Sequence, residues 1–220
     1  MAEYPNIDTF VKALNVKSDD SLTLEKLLER AYDIRKFEID LYWKRATYFW
    51  GFLIAAFTAY FIVSDPSKFA SKPIYELLVV CIGFIFSLSW YLVNRGSLYW
   101  QSNWERMIEA IEESLEIDFY KSNLVSKNKV SHVFSWYPYS LGRINIMVSL
   151  FVCTIWFGLI ILFFIHPGNR INLCNSAGWE KVVVLVITGV FACILVFKGK
   201  SPMNNSKSFS FVKRDINYKI

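Results

Sequence analysis

Four stretches of the chain are apolar on every helical face and contain no Asp, Glu, Lys or Arg. They are 46–63 (ATYFWGFLIAAFTAYFIV), 77–93 (LLVVCIGFIFSLSWYLV), 144–165 (INIMVSLFVCTIWFGLIILFFI) and 182–197 (VVVLVITGVFACILVF). A helix crossing a bilayer needs about 20 apolar residues, with a working range of about 17–25. The third stretch reaches that length alone. The others reach it with flanking residues, because Lys44, Arg45, Lys181 and Lys198 can extend toward the headgroups. A soluble helix keeps a polar face, and these have none. Aromatic residues cluster at the edges, among them Trp43, Tyr48, Trp50, Tyr75, Trp90, Tyr91, Trp136, Tyr137, Tyr139 and Trp179, as interfacial belts require. The pattern predicts an all-α integral membrane protein with four transmembrane helices in two hairpins and long cytoplasmic helical extensions.

The polar segments have a periodicity of their own. Leu24, Leu27, Leu28, Ala31, Ile34, Phe37 and Leu41 recur at steps of three and four, opposite Glu25, Lys26, Glu29, Arg30, Asp33, Lys36 and Asp40. With no Pro or Gly before the first span, one helix is predicted from about Leu22 to Val63, capped by Asp20 or Ser21 and ended by Ser64, Asp65 and Pro66. After the second span, Trp100, Trp104, Met107, Ile108, Ile111 and Leu115 form another stripe. Glu105, Glu109, Glu112, Glu113 and Glu116 make the opposite side a solvated acidic face, and Gly96 is a candidate kink. The two stripes can pair with each other or with a neighbouring subunit. The predicted divisions are a cytoplasmic arm and helix over 1–45, a first hairpin over 46–93, and a cytoplasmic helix and interfacial connector over 94–143. A second hairpin over 144–197 and a basic tail over 198–220 follow. Val133, Phe134, Trp136 and Tyr137 place the connector on the membrane surface. The tail is either disordered or touches anionic headgroups.

Charge then sets orientation. The arm, the 94–143 segment and the tail hold 8, 6 and 6 basic residues, whereas the two short loops hold only Lys68, Lys72, Arg170 and Lys181. By the positive-inside rule both termini are expected to be cytoplasmic. The first 30 residues are polar, so the first span is expected to act as an uncleaved anchor. The apolar share of 54%, the charged share of 20% and the aromatic share of 18% exclude a disordered chain and an ordinary nucleic-acid-binding domain. No direct nucleic-acid binding is expected.

Few residues suggest chemistry. Of four cysteines, Cys81, Cys153 and Cys193 lie in spans, and Cys174 is alone in an outward loop, so no disulfide framework is expected. His132 and His166 have no second ligand at metal spacing, and no phosphate loop or nucleophile elbow occurs. No cofactor and no enzyme activity are expected. The uncharged spans argue against a proton-coupled transporter. A pore would be lined by Thr47, Thr58, Ser87, Ser89, Asn145, Ser149 and Thr154, and would close by dewetting.

Two sets of residues remain as candidate sites. Gly51, Ala55 and Ala59 step along the first span at intervals of four, and Gly83 and Ser87 repeat the step in the second. Such positions allow close helix contact, within the chain or between subunits. The densest polar cluster is at the cytoplasmic boundary: Glu38, Asp40, Lys44 and Arg45 from the first helix, with Asn94, Arg95, Gln101, Asn103, Glu105 and Arg106 from the second. Asp40–Lys44 and Gln101–Glu105 have i,i+4 spacing. This cluster is read either as a network that fixes the two helices and shifts on activation, or as interfacial snorkelling with weak surface pairs.

The hairpin that enters as YWKRATYFWGF and leaves as NRGSLYWQSNWE resembles small membrane proteins of bacterial conflict systems, the SLATT-like two-span effector and accessory proteins encoded near anti-phage genes. The resemblance covers about 30–116, and the second hairpin departs from it. It implies a homo-oligomer in the lipid bilayer of the bacterial inner membrane that permeabilises the membrane or docks a cytoplasmic protein partner. It supplies no catalytic residues. The expected function is an oligomeric component of anti-phage defence, either a gated pore or membrane-perturbing effector, or a non-conducting anchor, sensor or scaffold for a soluble defence enzyme.

Overall fold

The computed structural model describes residues 21–65, 73–117, 119–120, 122, 139–169, 171 and 175–200. The start of the arm, the interfacial part of the connector with His132, loop residues Lys68, Lys72, Arg170 and Cys174, and the tail from Ser201 lie outside them. Four long helices are present: α1 (Ser21–Val63), α2 (Pro73–Ser114), α3 (Leu141–Ile165) and α4 (Ser176–Lys198), with a 3₁₀ turn at Pro167–Asn169. All four are long and apolar enough to cross a membrane, and no strand occurs among the described residues. The protein is an all-α membrane protein with four candidate spans.

Local sequence explains the helix ends. Pro73 opens α2, where its missing N–H is no loss. Ser140 caps α3 by accepting from the Arg143 amide at 3.4 Å. Asn175 caps α4 by accepting from the Ala177 amide at 3.3 Å. The α2 helix runs on through Gly96. Past Ser114 the chain turns sharply at Glu116, which has φ of 58°. The Ile117 amide reaches the Glu112 carbonyl at 2.9 Å, and the Glu116 amide reaches the Glu113 carbonyl at 3.2 Å. This is a Schellman turn with glutamate at the left-handed position that glycine usually fills.

The described residues fall into two compact units. Among the described residues the first takes 21–39 and 99–122, and the second takes Asp40–Leu98 and the chain from 139 to 200. In the first unit the two apolar stripes pair within the chain. Ala31, Ile108 and Ile111 are buried together, with Leu27, Leu28, Met107 and Leu115 against them. Ile34 and Phe37 remain exposed.

The second unit packs around Trp156 of α3. Leu53, Ala56, Val80 and Trp90 share its cluster, and the Phe57 ring lies 4.5 Å away between centroids. The indole N–H groups of Trp90 and Trp156 are buried without a hydrogen-bond partner, so these rings are held by packing. A second cluster of Leu77, Cys81 and Phe163 meets Val184 and Leu185 of α4. Otherwise α4 is loosely held, since its buried residues are Gly178 and Lys181. Lys181 does not reach outward as expected. Its ammonium lies inside, donating to the Asn169 carbonyl at 2.9 Å and sitting 5.7 Å from the Phe163 ring centre. That pairing ties the turn before α4 to its first turns.

Candidate functional site: two polar clusters

Buried polar side chains in a bilayer must find partners inside the protein. The second unit has one such group where α1, α2 and α3 meet. Asn145 donates to the Tyr42 hydroxyl at 2.6 Å. Asn94 donates to the Ser149 hydroxyl at 3.2 Å and to the Asn145 carbonyl at 3.4 Å. Ser149 donates onward to the Ile146 carbonyl at 2.9 Å. All four residues are buried. One residue from α1, one from α2 and two from α3 are thereby joined into a clasp. The helical step from 145 to 149 places both α3 members on one face.

The first unit has its own cluster. Arg35 bonds Glu105 at 2.9 Å, with the two side chains 29% and 37% exposed. The Arg35 guanidinium also lies 5.2 Å from the centre of the Tyr120 ring. Beside this pair, Glu112 is 1% exposed. It accepts from the Tyr32 hydroxyl with one oxygen and from the Tyr120 amide, at 2.8 Å, with the other. Glu112 thus corrects the expectation of a solvated acidic face. It points inward because the turn at Glu116 brings the Tyr120 amide back to it. Burial, then the Glu112 carboxylate, push the Tyr32 phenol up to about 12. Tyr32 therefore remains a donor at ordinary pH. Its contribution is whole below about pH 10 and is lost as pH rises through about 12.

Of the ten boundary residues read from the sequence, Glu38, Gln101, Asn103, Glu105 and Arg106 belong to the first unit, and Asp40, Lys44, Arg45, Asn94 and Arg95 belong to the second. Asp40 and Lys44 bond each other at 2.7 Å, both more than half exposed, and the Asp40 contact raises the Lys44 pKa. Arg45 donates to its own helix at the Leu41 carbonyl, 3.1 Å away. Arg95 lies over Tyr91, 5.6 Å from the ring centre. Asn103 contacts the Met107 sulfur at 3.9 Å. Gln101 is half-buried, and Glu38 and Arg106 have interactions of their own. Asn94 reaches Asn145 and Ser149 on α3, and Glu105 reaches Arg35 on α1. Sequence reasoning passed over Tyr32, Arg35, Tyr42 and Tyr120 because their partners lie on other helices or beyond a turn, where no fixed spacing reveals them.

The candidate pore lining divides in the same way. Ser87, Asn145 and Ser149 are buried inside the protomer. Thr47, Thr58 and Thr154 are exposed, but each hydroxyl donates to a carbonyl of its own helix. The small-residue steps also separate. A Cβ at Gly83 would run into the Trp156 ring, and Ser87 is in hydrogen-bond contact with Cys153, so this step serves α2–α3 contact. Nothing lies within 4 Å of a Cβ at Gly51, Ala55 is exposed and Ala59 is half-buried.

Comparison with known protein families matches residues 25–165 to the octameric membrane protein family, 8xMP. The chain belongs to that family. As an 8xMP member it is an oligomeric protein of the membrane. The matched range holds both polar clusters whole and ends at Ile165, the last residue of α3, so α4 lies beyond it. No curated protein and no solved structure matches the chain.

Proposed function

We propose that this 8xMP protein assembles as a closed ring of eight in a bacterial inner membrane, with both termini cytoplasmic, and acts in anti-phage defence. In this reading the ring is a gated pore or membrane-perturbing effector, and a cytoplasmic protein partner triggers it through the first unit. It performs no catalysis. The Tyr42–Asn145–Asn94–Ser149 clasp carries the reading. It binds three helices through neutral hydrogen bonds, a set that can exchange partners when the helices shift without exposing a charge to lipid. Orientation is supported by the 20 basic residues outside the two short loops against four within them. The defence role is supported by the hairpin's resemblance to conflict-system proteins.

One observation favours a second reading, a non-conducting scaffold for a soluble defence enzyme. The exposed hydroxyls of α1 and α3 are turned back on their own helices, so the protomer surface offers little to line a wet path.

Glu105→Gln separates stability from activity. The Arg35–Glu105 pair is partly exposed and contributes no more than about 1 kcal/mol, so expression and assembly should persist. Dye release from vesicles, or depolarisation in cells carrying the partner, should fall at least tenfold. Arg45→Gln should behave likewise. Full activity in Glu105→Gln would remove the first unit from the proposed control, and full activity in Arg45→Gln would remove the boundary residues of α1. Release absent from the unaltered protein with its partner bound would select the scaffold.

A further inference from the structure

The second unit carries a groove between α2 and α4 that neither polar cluster explains. Inside the spans it has a volume of about 300 Å³. Leu78 and Ile82 of α2 form one wall, and Ile187 and Phe191 of α4 form the other. Cys81 is buried and in hydrogen-bond contact with Thr188, so these two close the floor. A second space of about 590 Å³ adjoins it toward the short loops, with Val184 lining both. There the lining changes character. Ile74 is joined by Ser176, Trp179 and Glu180, and the last three are exposed.

Length and chemistry identify the occupant. At 1.5 Å per residue, the stretch from Ile74 to Phe86 rises about 18 Å. One leaflet of the hydrocarbon core is about 15 Å, half of about 30 Å. The groove is therefore as tall as one leaflet with the edge of its headgroup layer. It is apolar in its inner part and polar at its outer end, which is the grading of a phospholipid. Its inner limit, Phe86 and Phe191, stands at the middle of the apolar runs 77–93 and 182–197. A spanning helix from a second copy would continue across both leaflets. The α4 wall also lies outside the range matched to the octameric family, so ring contacts common to that family belong on α1–α3.

The headgroup follows from charge. Glu180 is the charged residue lining the outer space. The adjacent Lys181 is buried, with its ammonium committed to the Asn169 carbonyl. A carboxylate repels an anionic headgroup and attracts an ammonium. Trp179 beside it has the apolar ring and polar N–H that suit the glycerol level of a bilayer.

We propose that this groove holds one phospholipid from the leaflet on the short-loop side, with a zwitterionic, amine-bearing headgroup. Its ammonium pairs with Glu180, and one acyl chain lies between α2 and α4. The chain covers walls that α4 leaves open, since Ile82 is 49% and Ile187 is 62% exposed.

The test reconstitutes the full chain in nanodiscs of equal phosphatidylethanolamine and phosphatidylglycerol and counts the lipids retained by the released complex in native mass spectrometry. About one phosphatidylethanolamine per protomer should remain, enriched about three- to fivefold over phosphatidylglycerol, the scale of one exposed ion pair. Ile187→Trp fills the groove from a lipid-facing position. It should lower retention about fivefold or more, because the indole takes the volume of the chain, and leave the mass of the assembly unchanged. Val190→Trp, exposed on α4 but outside the groove, should retain lipid as the wild type does. Glu180→Lys should keep the count and reverse the preference toward phosphatidylglycerol. Retention unchanged in Ile187→Trp, or lowered equally in Val190→Trp, would overturn the site. Disassembly in Ile187→Trp would overturn it too, with a second copy as the occupant. Equal retention of the two lipids by the wild type, or a preference unmoved in Glu180→Lys, would overturn the amine assignment.

Discussion

Gly83→Val should remove most of the folded protein from the membrane. A Cβ at this position runs into the Trp156 ring, and Trp156 is fully buried against Leu53, Ala56 and Val80. The obstacle is a rigid indole with no room to retreat. Overpacking of this kind destabilises by about 1–3 kcal/mol, and more when two branches are added. The expected result is a severalfold fall in detergent-extractable, monodisperse protein. A paired change provides the control: Gly83→Ala with Trp156→Leu should recover much of the yield that Gly83→Ala alone loses, because the two positions share one contact. Gly51→Ala is the opposite case. Nothing lies within 4 Å of its Cβ, so the protomer should fold as before. Equal losses at Gly51 and Gly83 would show that the α2–α3 contact is misassigned.

Asn145→Leu should unfasten the clasp. It removes the donor to Tyr42 and places an apolar branch against Asn94 and Ser149. Membrane hydrogen bonds measured singly contribute up to about 2 kcal/mol, and this change breaks one and crowds a second, so a loss of about 1–3 kcal/mol is expected. The readout is the denaturant midpoint in mild detergent. The diagnostic step is a double-mutant cycle with Tyr42→Phe. If the 2.6 Å bond is real, Tyr42→Phe should add little once Asn145 is gone. Fully additive effects would mean that the two residues act separately.

Much of the fold could be read from the chain because the membrane imposes a simple code. Uncharged apolar runs gave the four spans, and the continuous pattern without Pro or Gly gave α1 almost to the residue, as Ser64, Asp65 and Pro66 follow its observed end at Val63. The pairing of the two apolar stripes was legible as an alternative and is settled within the chain by Ala31, Ile108 and Ile111. The polar sites were harder. Asp40–Lys44 is visible from spacing because both residues share a helix. Arg35–Glu105 and Tyr42–Asn145 join residues 70 and 103 positions apart, and no periodicity encodes which faces meet. Glu112 was misread for a related reason. On a helical wheel it belongs with Glu105, Glu109 and Glu116, and only the reversal of the chain at Glu116 turns it from a surface acid into a buried one.

The steps of small residues show the same limit. Gly51 and Gly83 have identical local signatures, yet one is open and the other is filled by an indole. Sequence identifies positions where helices can approach. The neighbouring helix decides which of them is used.

The most direct test of the central claim is the mass of the intact assembly in lipid nanodiscs, by native mass spectrometry or light scattering. The account predicts a closed complex of about eight times the 25.7 kDa protomer, unchanged in Glu105→Gln. A monomer or a simple dimer in lipid would contradict the ring, and with it the proposed gated pore.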